Sequence, residues 1–308
     1  MAGPLSAPLI ECVANFSEGR DASTVRAIED AIASSAGVMV LRAERDVDHN
    51  RSVITFAGPP DPVSEGALRG IAVAVDRIDL RRHAGVHPRM GAADVVPFVP
   101  LEGATLEDCV AIARRTGQEV WKRLGVPVYF YEAAATSPER RLLENCRRGG
   151  FENPKIPPDL GGPALHPSAG ACIIGARKIL IAFNINLQTN QVAIAREIAR
   201  TIRASSGGMP FVKALGLPLA ERGLAQVSMN LTDFEQTPLH EVFDAVQREA
   251  AARGVQIAGS EIIGLVPKKA LEDAAAHYLQ CENFESGLVL ENRLERARKR
   301  IVKTPALE

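Results

Sequence analysis

The stretch LIECVANFSEGRDASTVRAIEDAIASSAGVMVL, residues 9–41, decides the fold because a strand, a turn, a helix and a second strand follow one another in it. Residues 9–14 alternate in polarity, as a half-buried strand requires, and polar turn residues come next. Apolar side chains then recur at helical spacing over residues 24–35, and Gly37 ends that helix before the strand-like residues 38–41.

Outward from this stretch, the order β-α-β-β-α-β appears twice. A strand at residues 52–57, a helix at 63–78 and a strand at 95–99 complete the first copy. The second copy extends over residues 178–264, with its third element the least marked. We therefore predict an α/β (α+β) fold of two tandem βαββαβ ferredoxin-like plaits, which form a groove between them suited to a ligand.

The two copies are joined by residues 149–170, which are rich in glycine and proline. Such a segment is typical of an interdomain linker or of a functional loop. We place the domain boundary at its end, so that residues 1–170 form the N-terminal domain and residues 171–308 the C-terminal domain.

The composition excludes several classes of protein. The 308 residues carry a formal net charge of −1, and 46% are hydrophobic, which opposes a disordered chain or a general affinity for nucleic acid or membrane. No apolar run is long enough to span a bilayer, and the first residues lack the features of a secretory signal. The five cysteines lie far apart, which predicts buried thiols in the cytoplasm.

The segment RRHAGVHPRMGA, residues 81–92, is the most unusual in the chain. His83 and His87 are four residues apart, which would suit zinc on a helix, but Gly85 and Pro88 oppose a helix and no third ligand is evident. We predict no metal site. Two interpretations stay open: His87 presents an imidazole for proton transfer, or the segment is a solvated surface loop.

Two further polar groups are candidates for substrate binding. Residues 44–51, ERDVDHNR, connect two predicted strands and are either a solvated hairpin tip or a wall that faces a carboxylate or amide. Asparagines also alternate with apolar residues at the ends of two later strands, so period two places their amides on one face. These asparagines are Asn184, Asn186 and Asn230.

Several idiosyncratic strings, spread in order over nearly the whole chain, resemble the glutamate formimidoyltransferase family, the transferase half of formimidoyltransferase-cyclodeaminase. The strings are ECVANFSEG (11–19), NRSV (50–53), FAGPP (56–60), HPRMGA (87–92), GARK (175–178), FNINL (183–187), AQVSMN (225–230) and GLVP (264–267).

The resemblance implies transfer of a formimidoyl group from N-formimidoyl-L-glutamate to tetrahydrofolate in histidine degradation. The acceptor would carry a polyglutamate tail, and the chain would be a homodimer without metal, nucleic acid or membrane partners. The family's catalytic histidine falls on His87. Its folate loop falls on Gly161, Gly162, Pro163, Ala164, Leu165, His166, Pro167, Ser168, Ala169 and Gly170.

Three positions differ from the animal pattern of the family. Ala169 stands where an aromatic residue is expected, His166 replaces an aliphatic residue, and Glu44 stands in place of an aspartate. Without an aromatic ring at 169, we expect His166, or an aromatic residue from elsewhere in the chain, to take part of the contact with the pterin.

The remaining site residues take their predicted roles from their chemistry. Glu44 or His49 orients His87, Arg51 and Arg89 pair with substrate carboxylates, and the asparagines supply neutral hydrogen bonds. We expect Asn50, which precedes Arg51, in the same binding wall. The alternatives are a related one-carbon amide transferase or hydrolase, for example one that acts on formylglutamate, and a non-catalytic folate-binding protein.

Overall fold

The computed structural model describes residues 7–47, 49–85 and 89–302. The described chain divides into two units, one that ends at Lys178 and one that begins at Ile179.

The first unit contains four α-helices and six strands in its described part. In chain order they are β1 (Ile10–Phe16), α1 (Ala22–Ala33), β2 (Met39–Asp46), β3 (Arg51–Gly58), α2 (Pro60–Arg77), β4 (Ala93–Pro100), α3 (Leu106–Leu124), β5 (Val128–Glu132), α4 (Leu143–Cys146) and β6 (Cys172–Ala176).

The strand order of the first sheet is β2-β3-β1-β4-β6-β5. The strands β2, β3, β1 and β4 pair antiparallel in the order of a ferredoxin-like plait, which confirms the fold predicted for this half. The plait is extended by β6, which pairs parallel with both β4 and β5.

The boundary predicted at Gly170 is therefore too early. The run CIIGA of β6 completes the first sheet, so the first unit extends to Lys178. Two strands are also longer than predicted. β1 continues to Phe16, and β2 continues to Asp46 through residues that we expected to form a connection.

Both faces of the first sheet are packed. On one face, alternate residues of β1 contact α1, α2 and α3 in an apolar core that includes Ile10, Phe16, Ile28, Ile71 and Ile112. On the other face, a smaller core gathers side chains from β4, β5, β6, α4 and the segment before β4, namely Met90, Val95, Tyr129, Tyr131, Cys146 and Ile173.

Residues 149–170 pack on both of these cores rather than forming a tether. Tyr129 Oη donates to the carbonyl of Ile156 at 2.8 Å, and Arg140 forms an ion pair with Asp159 at 3.0 Å. Leu165 packs against the smaller core. The interdomain-linker interpretation is therefore wrong for this segment.

The second unit is a plait with two additional helices over its described residues. Its elements are β7 (Ile181–Leu187), α5 (Val192–Ile202), β8 (Val212–Leu219), β9 (Leu224–Leu231), α6 (Leu239–Ala251), β10 (Ile257–Ile263), α7 (Lys268–Tyr278) and α8 (Leu290–Val302).

The strand order β10-β7-β9-β8, all antiparallel, confirms the second predicted plait, including its weak strand β8. Alternate residues of β7 and β9 pack against α5 and α6, and their neighbours in sequence lie on the opposite face of the sheet.

No helix within the described ranges is long and apolar enough to cross a membrane.

Four cysteines, Cys12, Cys109, Cys146 and Cys172, are buried free thiols as predicted, and burial raises the pKa of each of them. The prediction is wrong for Cys281, which is exposed after α7.

Candidate functional site

A buried carboxylate organises the polar end of the first sheet. Asp94, at the start of β4, is fully buried and accepts hydrogen bonds from Arg51 Nη1 at 2.8 Å, from Arg147 Nη2 at 2.5 Å and from the Met90 amide at 2.8 Å. Arg51 also donates through Nη2 to Asn15 Oδ1 at 2.8 Å. The site therefore joins the end of β1, the start of β3, the start of β4 and the residue after α4.

Electrostatics keep this carboxylate charged despite its burial. Burial alone would raise the pKa of Asp94, but the guanidinium groups of Arg147 and Arg51 and the hydrogen bonds lower that pKa well below its usual range. Burial in turn lowers the pKa of Arg51, although the guanidinium keeps its charge at neutral pH because its ordinary pKa is so high. The result is a fixed arrangement of two arginines on one aspartate.

Asn50 connects the β2–β3 turn to two other loops. Its Oδ1 accepts from the Gly19 amide at 3.0 Å, and its Nδ2 donates to the Ala84 carbonyl at 3.2 Å. His83 Nε2 donates to the Asn50 carbonyl at 2.9 Å. Asn50 adopts a φ of 47°, a left-handed conformation that asparagine tolerates better than most residues.

Gly19 allows the β1–α1 turn to approach the β2–β3 turn. A Cβ added at Gly19 would lie 2.1 Å from the Asp46 carbonyl oxygen and 2.6 Å from the Arg51 amide nitrogen. We expect Gly19→Ala to move Arg51 away from Asp94, with a loss of stability of about 1–3 kcal/mol in urea unfolding. Gly259→Ala is the matched control, because nothing lies within 4 Å of its added Cβ. Equal unfolding midpoints for the two variants would contradict this prediction.

The segment that carries His87 is anchored at both of its described ends. On one side, a Cβ at Gly85 would lie 2.5 Å from the His49 carbonyl oxygen, so the backbones are in close contact. On the other side, Arg89 Nη2 donates to the carbonyls of Leu80 at 3.1 Å and His83 at 3.3 Å and pairs with Glu152 at 2.8 Å. His87 itself lies outside the described residues, so its assignment stays a prediction.

The structure thus brings Asn50, Arg51 and Arg89 into one region, linked through His83 and Asp94. Glu44 and His49 lie at its margin on the β2 side. Glu44 pairs with Arg42 at 2.6 Å, and His49 Nδ1 bonds to Asp46 Oδ2 at 2.6 Å. Glu44 stands in register with Val53, which in turn stands in register with Asn15, so Glu44 and Asn15 share one face of the sheet.

The predicted folate loop is a structured turn on the first unit. His166 and Gly170 exchange two backbone hydrogen bonds of 2.9 Å, and His166 Nδ1 accepts from the Ala169 amide at 3.0 Å. Ala169 is buried in the larger core, so its methyl group takes no part in the exposed surface of the turn. The exposed residues of the loop are Gly162, Pro163, Ala164 and Pro167.

The three asparagines of the second unit lie on one face of its sheet, as the period of two predicts. Asn184 stands in register with Ser228, Asn186 with Gln226, and Asn230 with Ala182. Asn186 is buried, donates to Glu261 Oε1 at 2.8 Å and accepts from Gln226 Nε2 at 2.9 Å. The hydrogen bonds from Asn186 and Arg222 lower the pKa of Glu261.

Sequence analysis missed Asp94, Arg147, Asn15 and Glu261. Asn15 belongs to a string quoted for the resemblance, and a carboxylate at the start of an otherwise apolar strand was the available signal for Asp94.

In residues 7–47, 49–85 and 89–302 there is no group of three or more His, Cys, Asp or Glu side chains that could hold a metal ion.

Each of the two units matches a known protein family. The N-terminal subdomain of the formiminotransferase domain matches residues 9–177, and the formiminotransferase domain matches residues 182–301. The chain belongs to the formiminotransferase domain family. This confirms the resemblance identified from the sequence strings.

Relatives of this formiminotransferase-domain chain are similar over most of its length. Glutamate formimidoyltransferase of Thermoplasma acidophilum is 46% identical over 298 residues, which cover 94% of this chain and 98% of the relative. The enzyme of the same name from Streptococcus pyogenes is 42% identical, with 94% and 99% covered. Formimidoyltransferase-cyclodeaminase of Sus scrofa is 45% identical over 90% of this chain but only 53% of its own length. The formiminotransferase domain thus spans about half of that bifunctional relative.

Proposed function

We propose that this chain is a glutamate formimidoyltransferase, which transfers the formimidoyl group of N-formimidoyl-L-glutamate to tetrahydrofolate and releases L-glutamate. The observation that carries the proposal is the match of both units to the formiminotransferase domain, together with relatives named for this activity that are covered almost completely. Tetrahydrofolate is the acceptor substrate in this proposal, and no step requires a metal.

The proposed chemistry needs one group that accepts a proton and later returns it. N5 of tetrahydrofolate attacks the formimidoyl carbon and loses its proton to His87. The tetrahedral intermediate then collapses as the same imidazole protonates the glutamate nitrogen, which leaves as an amine. An imidazole suits both halves of this cycle because its ordinary pKa is near 6.5.

The arrangement around Asp94 fixes the arginines of the region that we propose for carboxylate binding. Arg51 and Arg147 share a single aspartate, and Arg89 pairs with a glutamate whose side chain is 60% exposed. Guanidinium groups held in fixed orientations recognise carboxylates well, and both substrates carry carboxylates. We propose that the exposed part of the loop 161–170 contacts the folate. We propose separately that the polar face of the second unit with Asn184, Asn186 and Asn230 contacts substrate.

A panel of donors tests this function. N-Formimidoyl-L-glutamate and N-formyl-L-glutamate are each supplied with and without tetrahydrofolate, and L-glutamate release is measured. We expect release only with the formimidoyl donor and tetrahydrofolate together. Release without tetrahydrofolate would identify a hydrolase, preference for the formyl donor would identify a related transferase, and binding of tetrahydrofolate without release would identify a non-catalytic folate-binding protein.

Two aspects of the proposal concern the protein in the cell. We propose a homodimer in the cytoplasm, where histidine degradation and folate metabolism would supply both substrates. Sedimentation velocity measures the first aspect, and fractionation of the source cells measures the second.

A further inference from the structure

The edge strand β2 is open to pairing. β2 has eight residues, lies at the end of the first sheet, and pairs within the described chain with β3. An edge strand presents a row of backbone N–H and C=O groups that another strand can pair with.

The opposite edge of the same sheet is closed. The Val128 amide of β5 donates to the Leu160 carbonyl at 2.9 Å, and the Asp159 amide donates to the Val128 carbonyl at 2.8 Å. Asp159 Oδ2 also accepts from the Phe130 amide at 2.8 Å. The fold therefore covers β5 with its own chain and leaves β2 at the surface.

Two features of β2 differ from those of a protected edge. Met39 and Leu41 are 51% and 47% exposed, and the strand contains neither proline nor lysine, which commonly prevent edge pairing. The register with β3 shifts between Val40 and Arg42, so the regular part of this edge is residues 42–46. Beyond them the charges are mixed in sign, with Arg42, Glu44, Arg45 and Asp46 in the sequence RAERD. A charged edge resists indiscriminate pairing and admits only a strand whose charges are complementary to its own.

The charge pattern is complementary to itself in one antiparallel register. Within the regular stretch of residues 42–46, a two-fold axis normal to the sheet keeps each residue on its own face. The numbers of two opposed residues therefore add to an even sum. With Ala43 opposite Ala43 of the partner subunit, Arg42 lies opposite Glu44 of the partner subunit and Glu44 lies opposite Arg42 of the partner subunit. Moving the axis by one residue toward the N-terminus places Arg42 opposite Arg42, which repel. Moving it toward the C-terminus places Glu44 opposite Glu44, so that register keeps one repulsive pair beside two pairs of Arg42 with Asp46 of the partner subunit.

We propose that β2 is the dimerisation strand of this protein, and that two copies pair antiparallel through β2 with Ala43 at the two-fold axis. The first sheets of the two subunits then form one continuous sheet. The Arg42–Glu44 ion pair, 2.6 Å within one chain, becomes part of a ring of four alternating charges. This inference rests on the homodimer proposed above and names its contact surface. Dimer mass and transferase activity are measured separately, so the proposed β2 interface and the proposed transferase function can each fail while the other holds.

Charge reversal tests the pairing. In sedimentation equilibrium we expect Arg42→Glu and Glu44→Arg each to weaken the dimer by about tenfold or more, because each creates two repulsive cross-strand pairs. The double variant R42E/E44R exchanges the partners and restores association. Circular dichroism and thermal unfolding show whether each variant is folded. A monomeric wild-type protein, or single variants that dimerise as tightly as the wild type, would overturn the proposal.

A cross-link tests the register independently of charge. In a Cys281→Ser background, which removes the exposed thiol, Ala43→Cys should form an intersubunit disulfide under mild oxidation, because the two residues face each other across the axis. Arg45→Cys is the control on the same strand, because it lies two residues from the axis and its own copy is out of reach. Equal cross-linking of both variants, or none of Ala43→Cys in a confirmed dimer, would exclude this register.

Discussion

Replacing His87 by alanine should lower turnover of N-formimidoyl-L-glutamate by about 10²- to 10⁴-fold, the usual contribution of a proton-transferring side chain. The loss should appear in kcat with little change in the urea unfolding curve. In the wild type, kcat should fall at acidic pH as the imidazole becomes protonated and can no longer accept the proton of N5. Steady-state release of L-glutamate as a function of pH measures both effects.

His277→Ala is the control for that experiment. His277 lies in α7 of the second unit, where it stacks on His240 with 4.3 Å between ring centroids and bonds to Asp244, and we assign it no role in transfer. Its replacement should leave kcat within about twofold of the wild type, a free-energy change of about 0.4 kcal/mol. A folded His87→Ala variant with full turnover would remove His87 from the mechanism.

Asp94→Asn should have the largest effect on stability. It removes the charge that two largely buried guanidinium groups, Arg51 and Arg147, share. Loss of one partner of a buried ion pair costs about 3–5 kcal/mol, because the remaining charge is left without compensation. Denaturation by urea should show this loss as a lower midpoint, and transferase activity should fall because Arg51 is no longer held in place.

The ion pair between Asp61 and Arg115 provides the matched control, because the side chains are 80% and 53% exposed. Asp61→Asn should change the free energy of unfolding by no more than about 1 kcal/mol, as is usual for surface pairs. If the two aspartate variants unfold at the same urea concentration, Asp94 is not the organising residue of the site.

The contribution of Asp94 should depend on pH in a defined direction. Its pKa is lowered in the folded state, so its stabilising effect is fully present above the ordinary aspartate pKa near 4 and is lost as the pH falls below that value. The difference in stability between the wild type and Asp94→Asn should stay constant from pH 8 to about pH 5 and shrink at lower pH. A difference that already shrinks between pH 7 and pH 6 would contradict the lowered pKa.

Sequence patterns predicted the two plaits because each plait is built from local periodicities. Val25, Ile28 and Ile32 repeat at the spacing of one helix face, and all three are buried. β6 escaped prediction for the opposite reason: CIIGA is buried on both faces, so it shows no alternation. The charged end of β2 resembles a loop in sequence because an edge strand can hold polar residues on either face.

The candidate site was less predictable than the fold. Residue types alone selected Asn50 and Arg51, since polar groups at a strand start have few structural roles. Their partners depend on tertiary structure: Asp94 lies 43 residues from Arg51 and 53 residues from Arg147 in sequence. The same limit applies to Ala169, whose burial follows from backbone hydrogen bonds of the turn and not from its neighbours in sequence.

The position of β6 has a consequence for how the protein folds during synthesis. β6 lies between β4 and β5 although it follows both of them in the chain, so the sheet cannot be completed until residues 172–176 have left the ribosome. Until then β5 has no parallel neighbour, and the apolar edge of β4 is exposed to other nascent chains. Parallel pairing across long sequence separations is slow, so this insertion should set the rate at which the N-terminal unit becomes resistant to aggregation.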